Sequence, residues 1–186
     1  AGFLNSAKED AEDLLYTAAV ILLAAIGAAE LSRVAPDMFG NFVVNAAKGI
    51  EIGTYKRMSE VLEDELPDNI SVATLSGPNH AEEVSRKMPT ATVIASKNIN
   101  CLKDVKKIFH TGCFRVFAHD DIIGVEVCGA LKNIAAIASG VCDGLGYGDN
   151  TKASIITLGL MEMSTYGRFL GAKRATFYGL AGVGDL

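Results

Sequence analysis

Val20 to Ala24 (V-I-L-L-A) is an unbroken apolar run with β-branched members, the pattern of a strand covered on both faces. Ala28 to Met38 then reads as a short helix. Phe42 to Asn45 is a second buried strand, and Met58 to Leu66 a helix stopped near Pro67. Ser71 to Leu75 predicts a third strand, Ala81 to Lys87 a helix ending before Pro89, and Thr90 to Ala95 a fourth strand. Leu102 to Phe109 follows as a helix and Phe114 to Ala118 as a fifth strand. Strands alternating with helices predict a doubly wound parallel α/β sheet with right-handed crossovers. After Asp120 the strand signals stop. Ile122 to Cys142 and Ala153 to Leu170 predict two long helices, separated by the glycine-rich turn Gly144 to Gly148. The switch predicts a boundary near His119, with an α/β unit over 1–119 and an all-α unit over 120–186.

One helical stretch breaks its own apolar pattern. Residues 125 to 150 place Lys132 and Asn133 among small and apolar neighbours. An ammonium in the middle of a buried helix loses its water, which disfavours the charged form and moves its pKa toward neutrality. Such a group suits a general acid/base. Positions 129, 132/133, 136, 140 and 143 recur at helical spacing as Gly, Lys/Asn, Ala, Gly and Asp, while Val125, Leu131, Ile134, Ile137 and Val141 occupy the other faces. Two readings are open: a pocket wall with Lys132 pointing in, or tight helix packing with Lys132 snorkelling outward. Spacing alone leans slightly to packing.

Composition narrows the field. The 186 residues are 49% hydrophobic and 21% charged, which marks a folded globular chain. A net charge of −5, with 17 basic and 22 acidic residues, gives no nucleic-acid footprint. A small anionic substrate remains compatible, because local lysines outweigh a mild global charge at short range. Cys101, Cys113, Cys128 and Cys142 lie far apart with no C-x-x-C pair, which points to reduced core thiols in a cytosolic protein. His80, His110 and His119 are too isolated to hold a metal. Leu14 to Ala29 carries no charge but is 16 residues long, short of the ~20 that cross a bilayer, so no membrane span is expected there.

Three loop motifs carry further candidates. Asn45-Ala46-Ala47-Lys48-Gly49 follows a buried strand, where ligands of open α/β sheets sit; the alternative is an ordinary exposed loop lysine. Ser76-Gly77-Pro78-Asn79-His80-Ala81 follows another strand and opens a helix, reading either as a ligand loop or as a turn capped by Asn79. Gly179-Leu-Ala-Gly182-Val-Gly184-Asp185 is glycine-dense and ends on an acid that would orient a lysine or hold a substrate hydroxyl. Gly144, Gly146 and Gly148 mimic a dinucleotide fingerprint but follow a helix rather than a strand.

N-A-A-K-G-I-E, L-S-G-P-N-H-A-E-E-V, G-V-E-V-C-G-A-L-K-N-I-A-A-I-A-S-G-V-C-D-G-L-G and T-F-Y-G-L-A-G-V-G-D-L occur in this order between Asn45 and Leu186, and the likeness they carry extends over about Val20 to Leu186. Together they resemble the NAD(P)-dependent glycerol-3-phosphate dehydrogenases of bacterial type. The resemblance implies an incomplete Rossmann-like dinucleotide-binding domain over 1–119, followed by a partial α-helical substrate domain over 120–186. It implies NAD or NADP as cofactor, and reduction of dihydroxyacetone phosphate to sn-glycerol 3-phosphate. By motif, Lys132 resembles the catalytic acid/base, and Lys48 the lysine that contacts substrate and cofactor. Gly77, Asn79 and Asp185 fall on substrate-contact positions, with Asn79 where a serine is more usual. Ala81 falls on a cofactor-contact position.

Two departures accompany the resemblance. The family opens with a strand and a G-x-G-x-x-G loop, of which Ala1-Gly2-Phe3-Leu4-Asn5-Ser6-Ala7 matches only the second half. The family's substrate-phosphate arginine and asparagine lie beyond the Leu186 position. The sequence therefore reads as part of a longer chain. A related dehydrogenase acting on a 3-hydroxy acid, and a non-catalytic fragment serving as a binding module, stay open as alternatives. The choice of NAD or NADP is not readable, and neither is oligomeric state, with a homodimer an open option.

Overall fold

A computed structural model describes residues 42–186. The predicted strand Val20–Ala24, the helix Ala28–Met38 and the loop remnant Ala1–Ala7 lie outside the described residues. The elements are β1 (Phe42–Asn45), α1 (Met58–Glu65), β2 (Ser71–Ser76), α2 (Ala81–Ser85), β3 (Thr90–Ser96) and α3 (Ile99–Phe109). β4 (Phe114–His119), α4 (Ile122–Gly144), α5 (Asp149–Phe169) and a 3₁₀ turn (Arg174–Tyr178) complete the order.

The four strands form one sheet in the order β1-β2-β3-β4. β1 pairs with β2, and β3 with β4, in parallel, but β2 and β3 run antiparallel with Ser76 opposite Val93 and Ala73 opposite Ser96. The sheet is mostly parallel, and the uniformly parallel expectation is corrected at this joint. The reason is length. The five residues of α2 rise about 8 Å, against roughly 20 Å for a six-residue strand, so this helix does not by itself carry the chain back along the sheet. Lys87, with a φ of 58°, lies just past the end of this short helix. The chain therefore re-enters the sheet from the rim where β2 ended.

Strand alternation sorts the core into two faces. Val44, Ala73, Leu75, Ile94 and Val116 point to one side, where they meet Cys101, Leu102 and Val105 of α3. Asn98 opens that helix by accepting hydrogen bonds from the amides of Asn100 and Cys101. On the opposite side, Val43 and Val72 meet Leu66 beyond α1. Val93 and Ala95 meet Val125, Val127 and Cys128 of α4, together with Met163 of α5 and the buried ring of Phe177. Burial lifts the Cys128 thiol to about 12, so it is an inert core group.

α4 is the element that joins the sheet to the helical region. Asp121 caps it, accepting from the Gly124 amide at 2.9 Å, and holds the Lys173 amide at 2.8 Å and the Thr176 hydroxyl on its other oxygen. The first third of α4 is buried, whereas Ile134, Ile137 and Val141 are each more than half exposed. α4 leaves the sheet after Gly129, and α5 covers only one stripe of the remainder. An apolar groove of about 440 Å³ runs between α4 and α5, lined by Leu131, Ile134, Ala138, Leu158 and Tyr166 among others. Among the described residues, α4 alone is long and apolar enough to cross a membrane by length and composition.

Candidate active site

The chemistry collects elsewhere, at the rim where β1 and β2 end. After β1, Asn45 closes a small turn on itself: its Oδ1 accepts from the Ala47 amide at 2.9 Å and its Nδ2 donates to the Ala47 carbonyl at 3.2 Å. That turn presents Lys48. Gly49 follows with a φ of 148°, a conformation that favours glycine, and has open space around it. The Lys48 stem lies along α4 at Gly129, where a Cβ would come within 3.3 Å of the Lys48 Cγ and 3.0 Å of the Ser76 Oγ.

Asp185 joins the two lysines. Lys132 Nζ donates to Asp185 Oδ1 at 2.6 Å and to its backbone carbonyl at 3.2 Å. Lys48 Nζ donates to Oδ2 of the same carboxylate at 2.6 Å. The carboxylate side chain is 7% exposed, and the Lys132 and Lys48 side chains 20% and 25%. Burial pulls the Lys48 pKa below the ordinary lysine value. Asp185 pulls it back up without cancelling the shift, and the Lys132 ammonium pulls it down again.

Backbone contact explains why Asp185 can sit there. The 3₁₀ turn runs into a tight coil in which the Val183 amide bonds the Phe177 carbonyl at 3.0 Å and the Asp185 amide bonds the Gly182 carbonyl at 3.1 Å. A Cβ on Gly182 would lie 2.0 Å from the Phe177 carbonyl oxygen, so no side chain fits that position. The glycine-dense motif is thus a compact platform for one acid.

The segment after β2 supplies the facing wall. Gly77 leaves the strand at a φ of 143°, and a Cβ there would press on Thr92. Asn79 Nδ2 donates to Thr92 Oγ1 at 3.1 Å, and Thr92 donates to the Ser76 carbonyl at 3.0 Å. Asn79 is not the cap of α2; His80 occupies that position, without a side-chain cap bond. Lys48, Lys132, Asp185, Asn79, Pro78, His80 and Glu83 line one cleft of about 250 Å³. Gly77 and Ala81 lie on the same segment but do not line it. Of the predicted stripe on α4, Gly129 and Lys132 reach the site. Asn133, Ala136, Gly140 and Asp143 are exposed, and Asp143 pairs with Lys152 at 2.8 Å.

Sequence reading missed a second polar cluster on α4. Glu126, 4% exposed at its side chain, receives Arg57 Nη1 at 2.6 Å and the Ser59 hydroxyl at 2.6 Å. It also receives the Ser59 amide at 2.8 Å and the Thr74 hydroxyl at 3.2 Å. The signal was present: an acid inside V-E-V-C requires a cation as surely as Lys132 requires an acid. Its partner lies 69 residues away, which spacing does not reveal.

A family model described as NAD-dependent glycerol-3-phosphate dehydrogenase N-terminus matches residues 6–102, and the corresponding C-terminus model matches residues 121–186. A glycerol-3-phosphate dehydrogenase [NAD(P)+] of Clostridium botulinum is 53% identical over 144 residues, covering 77% of this chain and 43% of the relative. One from Chlorobium limicola is 56% identical over 151 residues, covering 80% and 45%. The crystal structure of glycerol-3-phosphate dehydrogenase from Coxiella burnetii superposes with a TM-score of 0.78 at 41% identity, covering 86% of this chain and 49% of that one. The chain spans about half the length of the curated relatives it matches. It belongs to the NAD-dependent glycerol-3-phosphate dehydrogenase family.

Proposed function

We propose that this chain carries the acid/base centre of an oxidoreductase that interconverts dihydroxyacetone phosphate and sn-glycerol 3-phosphate, with NAD or NADP as cofactor. The observation that carries the reading is one buried carboxylate shared by two lysines at the rim of an α/β sheet. In this reading residues 1–119 form the dinucleotide-binding domain and 120–186 the start of the substrate domain. The rim suits a nicotinamide end: the carboxyl ends of β1 and β2 open on the cleft, and Gly129 leaves room for the Lys48 stem between α4 and the sheet. Lys48 and Ala81 are the residues assigned to the cofactor, and Lys48, Gly77, Asn79, Lys132 and Asp185 those assigned to the substrate.

When bound, a reduced nicotinamide supplies a hydride to the ketone carbon. Lys132 supplies the proton for the oxygen. Its ammonium has three N–H groups; Asp185 takes two, through Oδ1 and the backbone carbonyl, and one is left for the substrate. Lys48 spends one N–H on Asp185 and keeps two toward the growing negative charge. The Asp185 carboxylate fixes both lysines. In the reverse direction, neutral Lys132 accepts the hydroxyl proton as hydride leaves.

The complete enzyme is expected to oxidise reduced nicotinamide with dihydroxyacetone phosphate and not with 3-oxo acids. Turnover confined to a 3-oxo acid would overturn the reading. The pH dependence has a defined sign. Lys48 is charged below its lowered pKa and loses charge as pH rises through it, earlier than an exposed lysine. Substrate capture therefore weakens on the alkaline side. Lys48→Arg, which stays charged, is expected to move the alkaline limb of kcat/KM to higher pH, at some cost in absolute rate. A limb that does not move would assign it to another group.

A further inference from the structure

We infer that Glu126 is a positioning residue that sets Lys48 against Lys132, by locking the helix of one lysine to the loop of the other. Glu126 and Lys132 are six residues apart on α4, about 9 Å along its axis. Lys48 sits in the segment between β1 and α1. Asn45 pins one end of that segment, and the other ends at Arg57 and Ser59, whose side chains and amide converge on the Glu126 carboxylate. The Ile50–Arg57 bridge and the Glu51–Lys56 backbone bond at 2.9 Å close the segment between these anchors. Arg57 is further fixed by Glu60, which accepts from its backbone amide at 2.9 Å and from its guanidinium at 2.7 Å. Thr74 adds β2 to the same carboxylate. Two pieces of chain, the Arg57–Ser59 segment and β2, are thus indexed to one side chain of α4.

Stability alone does not account for the cluster. A buried ion pair often gains nothing over apolar side chains of equal volume, because desolvation offsets the attraction. What four donors on one carboxylate do supply is a single register. Displacement of a catalytic group by about 1 Å costs roughly a hundredfold in rate, so register matters more here than melting temperature.

The inference rests on the proposed reaction for its kinetic arm only. Glu126→Gln turns an amide NH₂ toward donors whichever way the group is rotated, and so releases the clamp without changing its volume. In the complete enzyme, competitive acylation of lysines with acetic anhydride across a pH series, read residue by residue by mass spectrometry, reports the setting of Lys48 directly. Asp185 and Lys132 are the charged groups facing it. Glu126→Gln is expected to shift the Lys48 labelling midpoint toward that of an exposed lysine, and to lower kcat by about a hundredfold. In a Lys48→Met background the same substitution is expected to add almost nothing. Ser59→Ala, which removes one of the four donors, moves the midpoint in the same direction by less and decides the matter if Glu126→Gln does not fold. A lowered melting temperature with an unmoved Lys48 midpoint would overturn the inference, as would additive losses in the double variant. If the wild-type enzyme does not act on dihydroxyacetone phosphate, the proposed function fails, and the labelling arm still judges the clamp.

Discussion

Lys132→Ala in the complete enzyme is expected to lower kcat by about 10⁴-fold while the protein stays folded. On the proposed reaction the chemical loss is large because the oxygen that gains negative charge loses the ammonium assigned to protonate it, and Lys48 remains only as a neighbouring charge. The structural loss is small because Asp185, 7% exposed, keeps Lys48 as a partner at 2.6 Å and is not left as an orphaned buried charge. Lys132 itself lies where α4 begins to face solvent, so truncation opens no core cavity. Single-turnover kinetics with a melting curve on the same sample separates the two effects. Turnover within tenfold of wild type would remove Lys132 from the chemistry.

Asp185→Asn is expected to cost about 10³-fold in kcat/KM and, unlike Lys132→Ala, to lower the melting temperature as well. The carboxylate neutralises one of two ammonium charges, so its loss takes the local sum from +1 to +2, counting Lys48 and Lys132 at +1 each and Asp185 at −1. An amide offers one acceptor where the two lysines use two oxygens, and its NH₂ faces an ammonium. The upward pull of Asp185 on Lys48 also disappears, so the alkaline limb of kcat/KM should move to lower pH, opposite to the shift expected for Lys48→Arg. A variant whose limb stays in place, with kcat/KM within tenfold, would show that the lysines are positioned without Asp185.

Much of this fold is written in short-range pattern. The β-branched runs at Val43, Val72 and Val93 mark strands, and Asn98 and Asp121 mark helix starts, because burial and capping act over a few residues. Strand direction is different. Nothing in V-A-T-L-S or T-V-I-A-S says that the two strands oppose one another; it follows from how the segment between them folds, with a helix of only five residues that leaves both its ends at one rim. Lys132 was legible as an anomaly, and Lys48 and Asp185 only as members of motifs. Their convergence spans 137 residues from Lys48 to Asp185, and no local periodicity encodes a contact of that range. Glu126 is as anomalous in sequence as Lys132, but a single acid in a helix is ordinary until its burial is known.

The antiparallel joint between β2 and β3 has a consequence for how such a chain can vary. Both ends of the segment 77–89 return to the same rim of the sheet, so the segment behaves as a cassette held at its two feet. Its length and side chains can change without re-threading any strand, whereas a true crossover would drag the sheet order with it. The part of the rim most free to drift is thus the wall that carries Asn79 and His80. Lys132 and Asp185 are borne by a capped helix and a coil that admits no Cβ at Gly182. The cleft wall with Asn79 and His80 and the lysine pair on Asp185 are in this way placed on pieces of chain that can evolve at different speeds.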